Sequence, residues 1–497
     1  MSVQLKEWIV EASIEMMQRA MEEQKITSVE LVAEYLERIQ RYDRRLRSVI
    51  EVNPEALDIA KALDRERKEQ GSRSRLHGIP ILLKDNIGTH DQTHTSAGSI
   101  ALAQSIPVED SAVASQLRSA GAVLLGKTNM TEWANFMSST MWAGYSSRGG
   151  QTLNPYGPGE LFVGGSSSGS AAAVAANLAA AAIGTETTGS IISPASQNCL
   201  VGIKPTVGLI SRFGIIPLTD TQDTPGPMAR TVADAALILG ALTGKDARDA
   251  ATLSENRLAF SDYTPFLDRT FLARARIGIP RYYYRHLDEA RLAIVEQAIQ
   301  ILESEGATII DPVELPCQGQ EWDANVLQFE FKKYLNDYLR TLPETVTVRS
   351  LEDVIEFNER HAEAALKYGQ DVLLWSNRTS GTLSEQAYLD SKRRNFELAG
   401  RQGIDAALEQ YHLDALLILG DDDVNDLAAR AGYPSVTVPA GFVSNGIILP
   451  EGYSTKGPHG VTFVGTAFSE PTLIRLAYGY EQATLHRLPP ELDEMIG

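Results

Sequence analysis

The 497-residue sequence predicts an α/β fold in which a mostly parallel, twisted sheet is covered by helices on both faces. Two observations lead to this fold class. Helical and strand patterns alternate along almost the whole chain, and several helical segments end at a glycine that is followed directly by a short apolar strand. No internal repeat, low-complexity tract or long linker interrupts the alternation, so one large α/β domain accounts for most of the chain.

The first half of the chain contains three well-defined segments. Thr27 and Glu30 stand at the spacing of a capping box, which predicts the start of an amphipathic helix. A second helix is predicted to stop at Gly121 and to lead into a buried strand over 122–125. The alanine-rich run 171–183 is predicted to be a buried helix, because it falls short of the roughly 20 residues that span a bilayer.

The second half repeats the order of helix, glycine and strand. The predicted elements are a helix over 231–244, a strand over 275–280, a helix over 289–305, a strand over 307–310, a helical region from about residue 384 that ends in a strand over 413–419, strands over 433–442 and 460–465, and a helix over 471–487. Residues 1–75 are predicted to form a helical segment packed on the core, and residues 76–497 the main domain. Within it, the strongly helical region 320–412 is predicted to cover the sheet as a cap.

Charge and cysteine content exclude several functions. Lys and Arg total 45 against 64 Asp and Glu, and the net charge of −19 repels phosphate backbones, so no nucleic-acid partner is expected. Cys199 and Cys317 form neither a metal-ligand pattern nor a disulfide framework, which predicts inert thiols in a reducing cytoplasm. The N-terminus lacks the basic and apolar regions of a signal peptide, and no segment predicts a membrane span. We expect a cytoplasmic monomer or homodimer.

Three polar motifs suggest a ligand, but each lacks something that the ligand requires. The stretch GAVLLGKT, which contains Gly126 and Lys127, matches a phosphate-binding loop, yet its apolar middle favours a buried strand. The stretch GDDDVND, from Gly420, resembles a calcium loop without its turn glycine and final glutamate, and we interpret it as a polar loop. His90 and His94 stand four residues apart without a third ligand at metal-site spacing, so no metal or cofactor is predicted.

The stretch GSSSG, residues 165–169, matches the nucleophile elbow of α/β-hydrolases, with Ser167 at its centre. A strand over 160–163 and the alanine-rich helix would supply the structural context that this motif needs. Asp426 and His486 are the downstream acid and histidine that could complete such a triad, although His486 lies in the tail of an amphipathic helix. An α/β-hydrolase with Ser167 as nucleophile is therefore one alternative.

A second arrangement combines a lysine with serines. The apolar strand in LHGIPILLKDNI leads directly into Lys84, and burial at the end of a strand disfavours the charged form of a lysine. A neutral amine can act as a base, and pairs of serine and lysine replace the serine–histidine–aspartate arrangement in some hydrolases. Ser190 lies in a second glycine-rich turn, GTETTGSI, downstream of the first serine-rich turn.

Together these segments resemble the amidase signature family. The matching stretches are GIPILLKDNI, GGSSSGSAAAVAA, IGTETTGSI, VGIKPTVGLIS and DTPGPMARTVADAA, and the resemblance extends from about Ile26 to Arg487. It implies the amidase signature fold and a metal-free serine amidohydrolase without a cofactor. Carried over residue by residue, it implies that Lys84 is the base, Ser166 the bridging serine on a cis peptide bond, and Ser190 the nucleophile.

The resemblance also implies roles for residues around this triad. Ser167 would support the triad by hydrogen bonding. The backbone N–H groups of the turn that ends at the nucleophile would form the oxyanion hole, with contributions from Thr187, Thr188 and Gly189. Three further residues are expected to contact the substrate: Trp133, Ala134 and Ile192.

Within the family, the stretches TNMTEWANF, SSRGGQTLNPYG and PTVGLISRFGIIP look closest to peptide amidases, which hydrolyse the C-terminal carboxamide of peptides and release ammonia. Glu186, Thr188 and Ile192 stand where the family usually has Asp, Gly and Arg, and Cys199 replaces a usual glycine. These departures bear on the substrate rather than on the reaction class. A small-molecule or peptide amide is the expected partner. A carbamate or aryl-amide hydrolase and a transamidating subunit of a tRNA-dependent complex are alternatives.

Overall fold

A computed structural model of the protein describes residues 3–444 and 456–492. The strands within these ranges are β1 Val49–Val52, β2 Pro80–Lys84, β3 Val123–Thr128, β4 Tyr145–Ser146, β5 Gly150–Gln151, β6 Ala181–Glu186, β7 Val201–Lys204, β8 Thr224–Ala229, β9 Arg276–Gly278, β10 Thr308–Ile310, β11 Ala415–Leu419, β12 Ser435–Val443 and β13 Gly457–Val464.

The α-helices within the same ranges flank these strands. They are α1 Val3–Trp8, α2 Ile14–Glu22, α3 Ser28–Leu46, α4 Ala56–Gln70, α5 Ala112–Ser119, α6 Ser168–Ala175, α7 Ile192–Gln197, α8 Val232–Leu242, α9 Glu289–Ser304, α10 Asn325–Thr341, α11 Leu351–Arg360, α12 Ala362–Ala365, α13 Asp371–Asn377, α14 Gln386–Arg394, α15 Ala406–Tyr411, α16 Asp423–Ala431 and α17 Glu470–Thr484. A π-helical segment, Asn395–Asp405, joins α14 to α15.

Eleven of the described strands form one sheet, in the order β1-β3-β2-β6-β8-β7-β12-β13-β11-β9-β10. The predicted α/β class is confirmed, but the prediction of a mostly parallel sheet is corrected to a mixed sheet. Strands β3, β2 and β6 are parallel, as are β11, β9 and β10, whereas the other neighbouring pairs are antiparallel. The sequence pattern could not show this, because a strand buried on both faces has the same apolar run in either direction.

Most elements predicted from capping and periodicity are present. Helix α3 begins with the predicted capping box, in which Thr27 Oγ1 accepts from the Glu30 N–H and the Glu30 carboxylate accepts from the Thr27 N–H. Gly121 follows α5 with a φ of +86°, a conformation that favours glycine, and the buried strand β3 follows it. The predicted elements of the second half are present with shifted ends.

The alanine-rich run 171–183 is not a single buried helix, as the sequence predicted. Helix α6 ends at Ala175, the chain turns at Asn177 with a φ of +54°, and β6 begins at Ala181. All residues from 171 to 183 are buried. Tertiary packing overrides the helix propensity of alanine here, because β6 fills the place between β2 and β8 in the sheet.

The helices between residues 325 and 377 have an apolar core of their own. Phe331 and Leu335 of α10 and Val354 of α11 pack there with Met130 and Trp133 from the loop after β3. A larger core surrounds the sheet. The function of the helical region 320–412 as a cap and the domain boundaries stay predictions. No helix of the described ranges is long and apolar enough to cross a membrane.

Candidate active site

The base of the predicted triad lies at the end of a central strand. Strands β2 and β6 are parallel, with Leu83 opposite Ile183, so their carboxyl ends meet at one edge of the sheet. Lys84, the last residue of β2, points its ammonium group toward the end of β6. Its Nζ lies 2.9 Å from Thr185 Oγ1 and 3.0 Å from the Thr185 carbonyl oxygen. The register of β2 and β6 therefore places the Lys84 side chain beside Thr185.

Ser166 is the third group within hydrogen-bond distance of this lysine. Lys84 Nζ lies 2.8 Å from Ser166 Oγ, within hydrogen-bond distance. The peptide bond between Gly165 and Ser166 is cis. Gly164, just before it, has a φ of +73°, and a Cβ at this position would lie 2.5 Å from the Cα of Pro194. The glycine-rich turn thus packs against α7 more closely than any side chain would allow.

The environment of Lys84 favours its neutral form. The side chain is fully buried, and this burial lowers the pKa of Lys84 from 10.5 to about 7. The carboxylates of Asp223 and Glu186 act in the opposite direction and raise the pKa, but burial outweighs them. Near neutral pH the lysine is therefore available as a base.

The turn after β6 wraps around the carboxylate of Glu186. Glu186 Oε1 accepts from the N–H of Gly189 at 2.8 Å and from Asn425 Nδ2 at 3.0 Å. Its Oε2 accepts from the N–H groups of Ile191 and Ile192 at 2.7 and 2.9 Å. Both oxygens thus accept hydrogen bonds from backbone N–H groups, which can donate but cannot accept. This buried carboxylate, which the sequence showed only as a departure from the family pattern, holds the turn of the predicted nucleophile.

The same contacts limit which backbone groups can face a substrate. The N–H of Gly189 is directed to Glu186 and not to the cleft. In residues 3–444 and 456–492, the N–H groups of Thr188 and Ser190 have no acceptor from the chain. Of the turn predicted to form an oxyanion hole, Thr188 and Ser190 therefore offer free donors, as does Thr187, whose N–H also has no acceptor among the described residues, while Gly189 does not.

Asp223 connects this turn to the loop at residues 218–219 by hydrogen bonds. Its Oδ1 accepts from Thr187 Oγ1 at 2.6 Å and from Thr219 Oγ1 at 3.1 Å, and its Oδ2 accepts from the N–H groups of Leu218 and Thr219 at 2.7 and 3.0 Å. Burial raises the pKa of Asp223, and these hydrogen bonds act against that rise. Asp223 lies in the matching stretch DTPGPMARTVADAA, but its contacts with the nucleophile turn were not predicted.

Ser167 joins the first serine-rich turn to β6 and to the nucleophile turn. Its Oγ donates to the Thr185 carbonyl at 3.0 Å and accepts from the Thr185 N–H at 3.2 Å, and its own N–H donates to the Ser190 carbonyl at 3.1 Å. Ser167 is fully buried, and the strand that the elbow motif needs over 160–163 is absent. Asp426, its suggested acid, pairs instead with Arg430 at 2.7 Å.

Ser190 lies in the wall of a cleft of about 530 Å³. The residues that line the cleft include the apolar Phe136, Leu218 and Leu327 and the polar Asn135, Thr188, Gln197, Arg291, Asp421 and His459. Of the three predicted substrate contacts, Ala134 lines the cleft. Trp133 is buried in the smaller core, and Ile192 is buried at the start of α7. These two residues could influence a substrate only through the neighbours that line the cleft.

The other motifs have structural roles. Lys127 is buried in β3, where its Nζ donates to the Ile87 carbonyl and to Thr95 Oγ1, so no phosphate loop is present. The stretch from Gly420 is not a polar loop throughout, because α16 begins at Asp423. His94 bonds to Glu51 at 2.9 Å. In the described ranges, no group of three or more His, Cys, Asp or Glu side chains could hold a metal ion.

Comparison with known proteins gives a consistent result. The amidase family model matches residues 30–474. The solved structure of the peptide amidase of Stenotrophomonas maltophilia has a TM-score of 0.88 and 45% identity, over 97% of this chain and 99% of that chain. A probable amidase of Arabidopsis thaliana is 42% identical over 97% of this chain and 92% of its own length. A glutamyl-tRNA(Gln) amidotransferase subunit of Desulforudis audaxviator is 32% identical over 94% of this chain and 95% of its own length. The chain belongs to the amidase signature family and is an amide-hydrolysing enzyme.

Proposed function

We propose that this enzyme hydrolyses the C-terminal carboxamide of peptides through an acyl-enzyme on Ser190, with Ser166 and Lys84 as the proton relay. The observation that carries the proposal is the 2.8 Å contact between Lys84 Nζ and Ser166 Oγ. It joins a buried amine of lowered pKa to a hydroxyl in the turn beside the nucleophile. No step of the scheme needs a metal or a cofactor.

The contacts of Lys84 fit the role of a base. A neutral amine has two N–H bonds and one lone pair. Both N–H bonds can be donated to Thr185, one to its carbonyl and one to its hydroxyl oxygen. The lone pair then remains for the O–H of Ser166, which is the direction in which a proton has to move when the nucleophile is activated.

In the acylation step, Ser190 Oγ forms a bond to the carbonyl carbon of the amide. Its proton passes to Ser166 as the proton of Ser166 passes to Lys84. The N–H groups of Thr188 and Ser190 donate to the developing oxyanion, and each such donor stabilises the transition state by about 3 kcal/mol. The C–N bond then breaks, and the proton returns through the relay to the leaving nitrogen, which departs as ammonia.

In the deacylation step, water attacks the ester carbon of the acyl-enzyme. The water gives one proton through Ser166 to Lys84 and forms the new C–O bond. The bond between the carbonyl carbon and Ser190 Oγ breaks, and the proton returns to that oxygen. The products are a carboxylic acid and the free enzyme, so atoms and protons balance over the cycle.

Two observations support a peptide carboxamide as the substrate. The identity of 45% to a peptide amidase exceeds the 32% to a glutamyl-tRNA amidotransferase chain. The cleft combines apolar side chains with hydrogen-bonding groups, among them Asn135 and Gln197, as a peptide with its polar backbone requires. A carbamate or aryl-amide hydrolase would use the same relay, so a panel of substrates is needed to separate these alternatives.

The test is ammonia and amine release by the purified single chain across peptide amides, anilides, carbamates and small aliphatic amides. We expect peptide amides to give the highest kcat/KM, and we expect Ser190→Ala, Ser166→Ala and Lys84→Met each to lower it by about 10³-fold or more. Ser115→Ala, at an exposed position of α5, is the matched control and should keep full activity.

Two results would contradict the proposal. One is a fluorophosphonate label that maps to Ser167 and leaves Ser190 unmodified, since a buried Ser167 has no place in the relay as nucleophile. The other is turnover that appears only after partner chains and an acceptor tRNA are added, which is the behaviour of a transamidating enzyme. If the enzyme prefers a carbamate or an anilide, the proposed relay stands and the proposed substrate class is wrong.

A further inference from the structure

Asp421 takes no part in the proposed chemistry, yet it lies next to the nucleophile turn. It follows β11 and precedes α16, and it lines the cleft that contains Ser190. A Cβ at Gly189 would lie 3.0 Å from Asp421 Oδ2. The carboxylate therefore stands directly over the residue that precedes the predicted nucleophile.

The charged neighbours of Asp421 leave it accessible to a ligand. Glu186 is engaged by backbone N–H groups on both of its oxygens. Arg291 also lines the cleft and its charge lowers the pKa of Asp421, while its Nε donates to Asp288 at 2.6 Å and its Nη2 to the His286 carbonyl at 3.2 Å. Asp422, the next residue in the chain, does not line the cleft. Among the described residues that do, Asp421 is the only carboxylate.

A carboxylate in a deep cleft requires hydrogen-bond donors once a ligand displaces water. Desolvation in the cleft raises the pKa of Asp421 to about 6, so it is mostly ionised at neutral pH and accepts hydrogen bonds. The backbone N–H of Asp421 itself and the side chain of Ser193, which also lines the cleft, act against this rise by hydrogen bonding. These two groups fill only part of the accepting capacity of two carboxylate oxygens. A further donor is thus expected to come from the substrate.

We propose that Asp421 determines specificity by accepting a hydrogen bond from the α-nitrogen of the residue whose carboxamide is hydrolysed. The inference rests on the proposed function, which places the reacting carbonyl between Ser190 Oγ and the N–H groups of Thr188 and Ser190. The α-nitrogen is two bonds from that carbonyl carbon, which is within reach of a carboxylate that stands over Gly189. Amino-acid and peptide amides are then preferred over amides that lack an α-nitrogen.

The test measures binding to Ser190→Ala, which holds the ligand without turnover, by titration calorimetry. The probes are N-acetylleucinamide, leucinamide and 4-methylpentanamide, which share one side chain and differ in the α-nitrogen. We expect the two amides with an α-nitrogen to bind about tenfold or more tightly than 4-methylpentanamide. We expect Ser190→Ala/Asp421→Ala to lose most of this preference, and the control Ser190→Ala/Asp423→Ala, altered at an exposed position outside the cleft, to keep it.

The loss of binding affinity caused by the Asp421 substitution, compared between the probes, shows whether the α-nitrogen is bound as an ammonium group or as a peptide N–H. A larger loss for leucinamide assigns the contact to a free ammonium group, and a larger loss for N-acetylleucinamide assigns it to a peptide N–H. An unchanged preference in the Asp421→Ala background, or an equal loss for all three probes, would overturn the inference. Failure of the proposed function would show separately, as ammonia release by Ser190→Ala.

Discussion

Replacing Lys84 with methionine is expected to abolish turnover and to remove a pH-dependent cost from folding. Methionine is unbranched, apolar and of similar length, so it suits a fully buried position. Burial lowers the pKa of Lys84 from 10.5 to about 7. A difference of this size corresponds to about 5 kcal/mol of unfavourable free energy for the charged form in the folded protein.

The sign of the pH dependence follows from proton counting. Below about pH 7, the lysine is protonated in both the folded and the unfolded state, and the folded state carries the full cost. Between about pH 7 and 10.5, the unfolded state binds a proton that the folded state does not, so the stability of the wild type rises with pH. The expected slope in this window is about 1.4 kcal/mol per pH unit, and Lys84→Met lacks it.

The assay is urea unfolding of both proteins at several pH values from about 6 to 9.5, with the difference in free energy of unfolding as the result. Two other buried lysines, Lys127 and Lys204, also have a pKa lowered to about 8, but they are present in both proteins and cancel in the difference. In parallel, kcat/KM of the wild type should rise with pH around an inflection near 7. A difference that stays constant above about pH 7.5, together with a kinetic inflection above about pH 9, would refute the assignment of a neutral Lys84.

Three further substitutions separate the roles of the buried carboxylates and the nucleophile turn. Asp223→Asn can rotate its amide to satisfy every present partner, so it should keep the fold, lower the pKa of Lys84 and move the rise in kcat/KM by about 1 pH unit toward acid; an unmoved profile would contradict this. Glu186→Gln cannot do the same, because its amide nitrogen must face a backbone N–H in either orientation. We expect it to lower the free energy of unfolding by about 1–3 kcal/mol and kcat together, as measured by urea unfolding and steady-state kinetics, whereas retention of both would refute the hydrogen-bond pattern. Gly189→Ala adds a Cβ at a φ of +73° and 3.0 Å from Asp421 Oδ2, so ammonia release should fall steeply, and full activity would show that the turn is not constrained there.

Local patterns predicted much of the fold and part of the site. An apolar run that ends in Lys84 indicated a buried strand with a lysine at its end, and the capping box at Thr27 indicated a helix start, because both signals lie within a few neighbouring residues. The alanine-rich run 171–183 carried a misleading signal, since alanine favours a helix and only the packing of β6 between β2 and β8 makes its last part a strand. The direction of the strands was hidden, because it depends on which strands become neighbours.

The contacts that complete the site connect distant parts of the chain. The acidic neighbours of Asp421 indicate only a polar loop, and its position over Gly189 depends on the pairing of β11 with β13 and on the turn after β6. Glu186 stands out in the sequence only as a departure from a family pattern. Its two carboxylate oxygens accept hydrogen bonds from N–H groups that come within reach only because the chain turns after β6.

The residues that line the cleft come from different stretches of the polypeptide. The proposed relay lies between Lys84 and Ser190, on the ends of central strands, whereas Arg291, Leu327 and Asp421 enter from the second half of the chain. Natural variation and protein engineering can therefore alter the lining residues of the second half without changing the relay. Grafting α10 from a relative that prefers another amide should transfer part of the substrate range of that relative. The pH profile should remain that of the recipient enzyme, because the surroundings of Lys84 set it.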